Sequence, residues 1–274
     1  MKRSSTTLFL LTFFLSIAFL SNCLDRMERH FFGVKEGVLL HGVPVAGLTE
    51  EELYDLVQEM ALRYQRLPVE PSLDKQSGEV VPGRPGVFID VQKTIANTLA
   101  AAPFTEVQLV RIETPTCYKT DDLKAANQVL GSYSTYLQGS AARINNIHTA
   151  ARAINHTIVW PDEIFSFNDT TGPRTAEQGY LPAPIILQGG LNMGLGGGVC
   201  QVSSTLYNAV LQAGLTIVER HPHSRPVGYV PTGKDAAVDY GYLDMKFKNN
   251  RQGPVIIKMS VYGGKIQAQI LGGE

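Results

Sequence analysis

Ten residues in the second half of the chain combine a glycine-rich turn with a thiol: Gly194-Leu-Gly-Gly-Gly198-Val-Cys200-Gln-Val-Ser203. Val202, Leu206, Ala209, Val210 and Ala213 follow at helical spacing, and Gly214 is a natural C-terminal stop. The spacing places Cys200 at a helix N-terminus, where partial positive charge favours the thiolate, the reactive form. Glycines there let backbone N–H groups approach a carbonyl closely. Downstream, Arg220-His221-Pro-His223-Ser224 offers a general base. A thiol, a donor turn and a histidine are the parts of acyl transfer through a thioester. The plainer reading of the same residues is a buried small cysteine beside a loop.

Further candidates are scattered. Arg174, in Gly172-Pro-Arg174-Thr175, is a candidate clamp for a carboxylate, whose two oxygens match the guanidinium fork. His148 lies beside the apolar stripe of a helix over residues 141–155 and reads as a partly buried structural histidine. His221 and His223, two residues apart, could share a zinc ion with Cys200 on one face of a strand, but no fourth ligand is evident.

These residues need a scaffold, and the pattern predicts an α+β chain. The first part, residues 31–116, reads as a small α/β module. Strand, tight turn and strand over residues 37–45 lead to a helix capped by Thr49, with Glu52 completing a capping box and Leu48 stapled to Leu53. Pro68 ends that helix. Residues 73–85 form a hairpin or loop. Asp90 caps a second helix, and residues 107–112 form a strand. The second part, residues 121–274, reads as a mixed domain. It starts with a polar stretch lacking strong signals, has a helix starting at the cysteine, and ends in an antiparallel sheet. There, residues 255–262 and 265–270 meet at Gly263-Gly264.

Composition bounds the function. The net charge of −1 and the absence of a basic run argue against nucleic acid. Three cysteines are too few for a disulfide framework. Lys2 and Arg3 precede an apolar run from Leu8 to Leu20, so residues 1–24 read as a signal or membrane anchor. The tether is a lipid on Cys23 or an uncleaved helix, with the remainder outside the membrane.

Beyond these local readings, the stretch from about Arg143 to Ile270 resembles the VanW family. The matches are Pro161-x-Glu163-x-Phe165-Ser-Phe167-Asn168, Gly172-Pro-Arg174-Thr175, Gly196-Gly-Gly198-Val-Cys200-Gln-Val-Ser203, Glu219-Arg-His-x-His223-Ser224, Tyr229-Val-Pro231 and Asp235-Ala. Val45-x-Gly47-Leu-Thr49 and Gly86-x-x-x-Asp90 are similar to a peptidoglycan-binding domain that accompanies such proteins. The resemblance implies an L,D-transpeptidase acting on peptidoglycan stem peptides, with Cys200 as nucleophile. It favours His223 over His221 as base, with Asp235 orienting the imidazole. Backbone N–H groups around Gly197, Gly198 and Gln201 would hold the oxyanion, while Asn168, Arg174, Ser203, His221 and Tyr229 would line the substrate side. No metal or cofactor is required. A non-catalytic wall-binding protein is the alternative from a different class.

Overall fold

The computed structural model describes residue 20, residues 22–187 and residues 190–273. The expected anchor lies outside the described residues except for its last few positions. No described helix is long and apolar enough to cross a membrane. The protein is mixed α+β and forms two compact units, Met1–Val69 with Arg84–Thr116, and Glu70–Gly83 with Cys117–Glu274.

The first unit begins with a helix, α1 (residues 22–32). Strands β1 (Leu39–Leu40) and β2 (Val43–Pro44) pair antiparallel, and helix α2 spans Glu50–Tyr64. The Thr49 capping box forms: its hydroxyl accepts from Glu52 N–H, and the Glu52 carboxylate accepts from Thr49 N–H. The chain then enters the second unit as a hairpin, β3 (Ser72–Leu73) and β4 (Val80–Val81), and returns. β5 (Gly86–Ile89), α3 (Val91–Ala100), β6 (Glu106–Val107) and β7 (Arg111–Thr114) complete the first unit. Residues 107–112, expected as one strand, divide between β6, which pairs parallel with β1, and β7, which pairs with β5. Leu53, Val57, Met60, Ile89, Ile95 and Leu109 are buried at its centre.

The rest of the second unit begins with α4 (Thr120–Ala125) and β8 (Gln128–Tyr136). Helix α5 (Ala141–Ile154), β9 (Thr157–Val159), β10 (Ile164–Ser166) and α6 (Phe167–Thr171) follow. Then come the hairpin β11 (Pro182–Leu187) and β12 (Gly190–Leu195), helix α7 (Val199–Gln212) and β13 (Thr216–Glu219). β14 (Lys246–Lys248), β15 (Val255–Tyr262) and β16 (Lys265–Gly272) close the chain. β8, β16, β15 and β9 form an antiparallel sheet in that order, and β10, β14 and β13 form a second one.

The polar stretch after residue 121 therefore contains a long strand. Gly131 of β8 sits directly beneath α7, where a Cβ would collide with the Ala209 carbonyl and with Ala213. The helix lies flush on the strand because that side chain is missing. Ile147, Ile154, Leu206, Phe247, Ile257 and Ile266 are the fully buried centre of this unit. His148 is exposed rather than partly buried.

Candidate active site

The turn before α7 is held from outside. Gly198 is its N-cap at φ 109°, a left-handed conformation that suits glycine. Asn146, fully buried on α5, donates to the carbonyls of Gly197 (3.0 Å) and Leu181 (2.9 Å) and accepts from Leu181 N–H (2.8 Å). Because the peptide unit is planar and trans, fixing the Gly197 carbonyl also fixes the direction of the Gly198 N–H. The N–H groups of Gly197, Gly198 and Cys200 have no acceptor among the described residues. Gln201, expected as a donor, instead spends its N–H on the Gly198 carbonyl (3.0 Å). Its buried amide donates to Thr135 Oγ1 (2.9 Å) and the Tyr136 carbonyl (2.8 Å), and accepts from Arg143 Nη2 (2.9 Å). Cys200 itself takes the donor position that the sequence suggested for Gln201.

Helix α7 also carries a row of buried polar side chains, at positions that would ordinarily be apolar. Three of them, Ser203, Ser204 and Asn208, meet one extended segment, Lys234 to Val238. Asn208 donates to the Lys234 carbonyl (2.7 Å), Ser203 donates to the Ala236 carbonyl (2.6 Å), and Ala236 N–H donates to Ser204 Oγ (2.9 Å). The Cys200 thiol points at the Val238 carbonyl, with Sγ to O 3.4 Å. Carbonyls at alternate residues of an extended chain face one way, and one helix face presents a partner to each. Ser203, expected on the substrate side, therefore belongs to this ladder.

The ladder presents Asp235. Its Oδ2 accepts from His223 N–H at 2.7 Å and lies 2.7 Å from Nδ1 of the same imidazole. Arg220 donates to Oδ1 (2.8 Å) and to the Asp235 carbonyl (2.7 Å). The His223 side chain is 6% exposed. Nδ1 is engaged by Asp235, and Tyr229 Oη lies 3.4 Å from the other ring nitrogen, Nε2. Burial pushes the imidazolium of His223 down, but hydrogen bonds and charge from Cys200 and Asp235 outweigh it and raise its pKa. Burial pushes Asp235 up, and the His223 hydrogen bonds and charge overcome this, so Asp235 stays below its ordinary value. The Tyr229 phenol is raised, chiefly by burial, and stays protonated.

The remaining candidates separate into two sets. Asn168 donates to the carbonyls of Leu243 (2.9 Å) and Asp239 (3.2 Å) and accepts from Arg174 Nη2 (2.7 Å), so it braces the clamp rather than facing outward. Arg174 feels the charge of Cys200. His221 turns away to Glu219, 2.9 Å from Nε2. Lys246 and then His221 hold Glu219 at about 2. Cys200, His221 and His223 do not form a three-ligand cluster, and no other group of three metal-binding side chains gathers among the described residues. All three cysteines are free.

Residues 142–271 match the family model described as VanW like protein. The chain is 37% identical over 230 residues to a Bacillus subtilis protein, "Uncharacterized protein YoaR", covering 82% of this chain and 76% of that one. The chain belongs to the VanW-like family. A second VanW-like relative, "Vancomycin B-type resistance protein VanW" of Enterococcus faecalis, is 28% identical over 133 residues, covering 47% of this chain and 48% of that one. No solved structure matches. The family match takes in Cys200, His223, Asp235 and the residues that brace them.

Proposed function

We propose that this VanW-like protein is a cell-wall acyltransferase that acts on peptidoglycan stem peptides through a Cys200 thioester, in the manner of an L,D-transpeptidase. The arrangement that supports the reading is the buried His223–Asp235 pair, whose imidazole is raised in part by Cys200, together with three N–H groups of the cysteine turn that have no acceptor among the described residues. His223 takes the thiol proton, and the sulfur attacks the carbonyl carbon. The Gly197, Gly198 and Cys200 N–H groups receive the oxyanion. The C–N bond breaks, and the leaving amine takes the proton back from His223. An amine of a second stem, or water, then releases the acyl group. Asp235 keeps the ring in the correct tautomer throughout. The relative named for vancomycin resistance supports a wall setting. The first unit gathers no comparable chemistry and suits a wall-binding role, with the protein tethered outside the membrane by residues 1–24.

Intact-mass measurement after incubation with tetrapeptide muropeptides tests the reading. Wild-type protein is expected to gain a covalent acyl mass and release D-alanine, and Cys200→Ala to do neither. Equal muropeptide binding by both proteins, with no adduct and no release, would establish the wall-binding alternative instead.

A further inference from the structure

Arg174 and Tyr180 both carry polar groups that their surroundings leave unanswered. The Arg174 guanidinium donates to two neutral acceptors, the Gly172 carbonyl (2.9 Å) and Asn168 Oδ1 (2.7 Å). It forms no ion pair among the described residues, although burial lowers its pKa, the mark of a cation withdrawn from water. Phe167 and Tyr240 rings lie 5.7 Å and 5.8 Å from its centre and hold its plane. A guanidinium has five N–H donors, so several remain for a ligand. Tyr180 is 1% exposed, and its hydroxyl is the buried side-chain atom that no described residue pairs with. Burial raises its pKa and the charge of Arg174 opposes that rise. The Tyr180 N–H donates to the carbonyl of Thr175 (3.2 Å), the residue after Arg174, so the two are held in one loop.

Arg174 stands against the turn that leads to the thiol. The Arg174 stem lies on Gly196, where a Cβ would come within 2.7 Å of its Cγ, and Gly196 is two residues before the first unpaired donor pair is complete at Gly198. Burial lowers the Arg174 pKa, and charge on Tyr180, Cys200, Asp239 and Asp244 opposes that lowering.

We propose that Arg174 and Tyr180 form the receptor for the free C-terminal carboxylate of the peptide, which restricts the site to the removal of a terminal residue. The inference rests on the acyl-transfer reading of Cys200 and adds its substrate selectivity. The two carboxylate oxygens accept from the guanidinium fork and from the Tyr180 hydroxyl. The carbonyl of the preceding residue then meets Cys200 and the N–H groups of the turn. A peptide that continues past this point, or ends in an amide, brings no charge to Arg174.

The test separates binding from chemistry. The full chain carrying Cys200→Ala is titrated calorimetrically with a stem tetrapeptide ending in D-alanine, and with the same peptide as its C-terminal carboxamide. The acid is expected to bind about tenfold or more tightly than the amide, the scale of a charge-assisted hydrogen bond. Adding Tyr180→Phe, or Arg174→Gln, is expected to shrink that ratio. Tyr180→Phe should leave the melting temperature unchanged or raised, because the hydroxyl it removes has no partner among the described residues. Equal affinity for acid and amide, or binding of neither, overturns the carboxylate receptor, and an unchanged ratio in Tyr180→Phe removes the tyrosine from it. Acid preference without an adduct on the wild-type protein would leave the receptor standing and sink acyl transfer. Adducts formed equally from acid and amide would do the reverse.

Discussion

Each unit holds an arginine clamped on a carboxylate, and the two clusters differ far more in burial than in bonding. In the first, Arg29 donates to both oxygens of Glu52 at 2.7 and 2.8 Å, and Glu52 also accepts from Thr49 N–H at 3.1 Å. In the second, Arg220 donates to Asp235, which also accepts from a backbone N–H. The Arg29 and Glu52 side chains are 35% and 42% exposed, and those of Arg220 and Asp235 are 22% and 11% exposed. In water, such a cluster ties the end of α1 to the start of α2 and contributes little. Out of water, with an imidazole added, the same parts govern where a proton resides. Burial, more than the number of hydrogen bonds, separates the structural cluster from the candidate catalytic one.

Breaking the buried cluster should have the largest effect. Asp235→Asn is expected to lower acyl transfer by about 10²–10⁴-fold, the usual range for general-base chemistry, as read by kcat/KM. Asp235 helps to raise His223, so the His223 titration, followed by NMR, should move to lower pH in the variant. The sign for stability follows from linkage. A raised histidine stabilises the fold below its unfolded value, and the contribution is lost as pH rises through the folded value. The wild type should therefore lose stability across that window, and Asp235→Asn should lose less.

Gly131→Ala tests the seat of α7 rather than the relay. Its Cβ has no room against the Ala209 carbonyl, and a cost of about 1–3 kcal/mol is expected in urea unfolding. In the first unit, Thr49→Ala removes the N-cap of α2 and should cost about 1 kcal/mol with Cys200 chemistry unchanged. Glu52→Gln should be the mildest. Hydrogen bonding to Arg29 holds Glu52 at about 2, so its stabilisation is present above the ordinary carboxylate value and lost as pH falls through about 2. The melting difference between wild type and Glu52→Gln should close over that acid range. A large loss of acyl transfer in Glu52→Gln would break the contrast between the clusters.

The parts legible in the sequence were those set by local backbone demands. The glycine turn, the start of α7 at Cys200, the Thr49 capping box and the hairpin at Gly263 all follow from neighbours along the chain. The resemblance singled out His223 and Asp235, which the structure brings together. Hidden from the sequence were residues that act on distant segments. Asn146 reads as an ordinary helical polar residue, yet it fixes the Gly197 carbonyl. Strand β8 lacks a strong apolar alternation in part because Gly131 and Thr135 meet α7 by close approach and by hydrogen bonding. Tyr180 reads as a core aromatic, and its packing conceals the hydroxyl.

The ladder between α7 and Lys234–Val238 has a dynamic consequence. The nucleophile is mounted on the same helix that grips the segment bearing Asp235, so thermal displacement of the helix carries both along, and their separation changes less than either position. Opening of the ladder, by contrast, would detach the carboxylate from the thiol in one event. Amide exchange at Ala236 and Ala237 would therefore time the rate at which the relay comes apart.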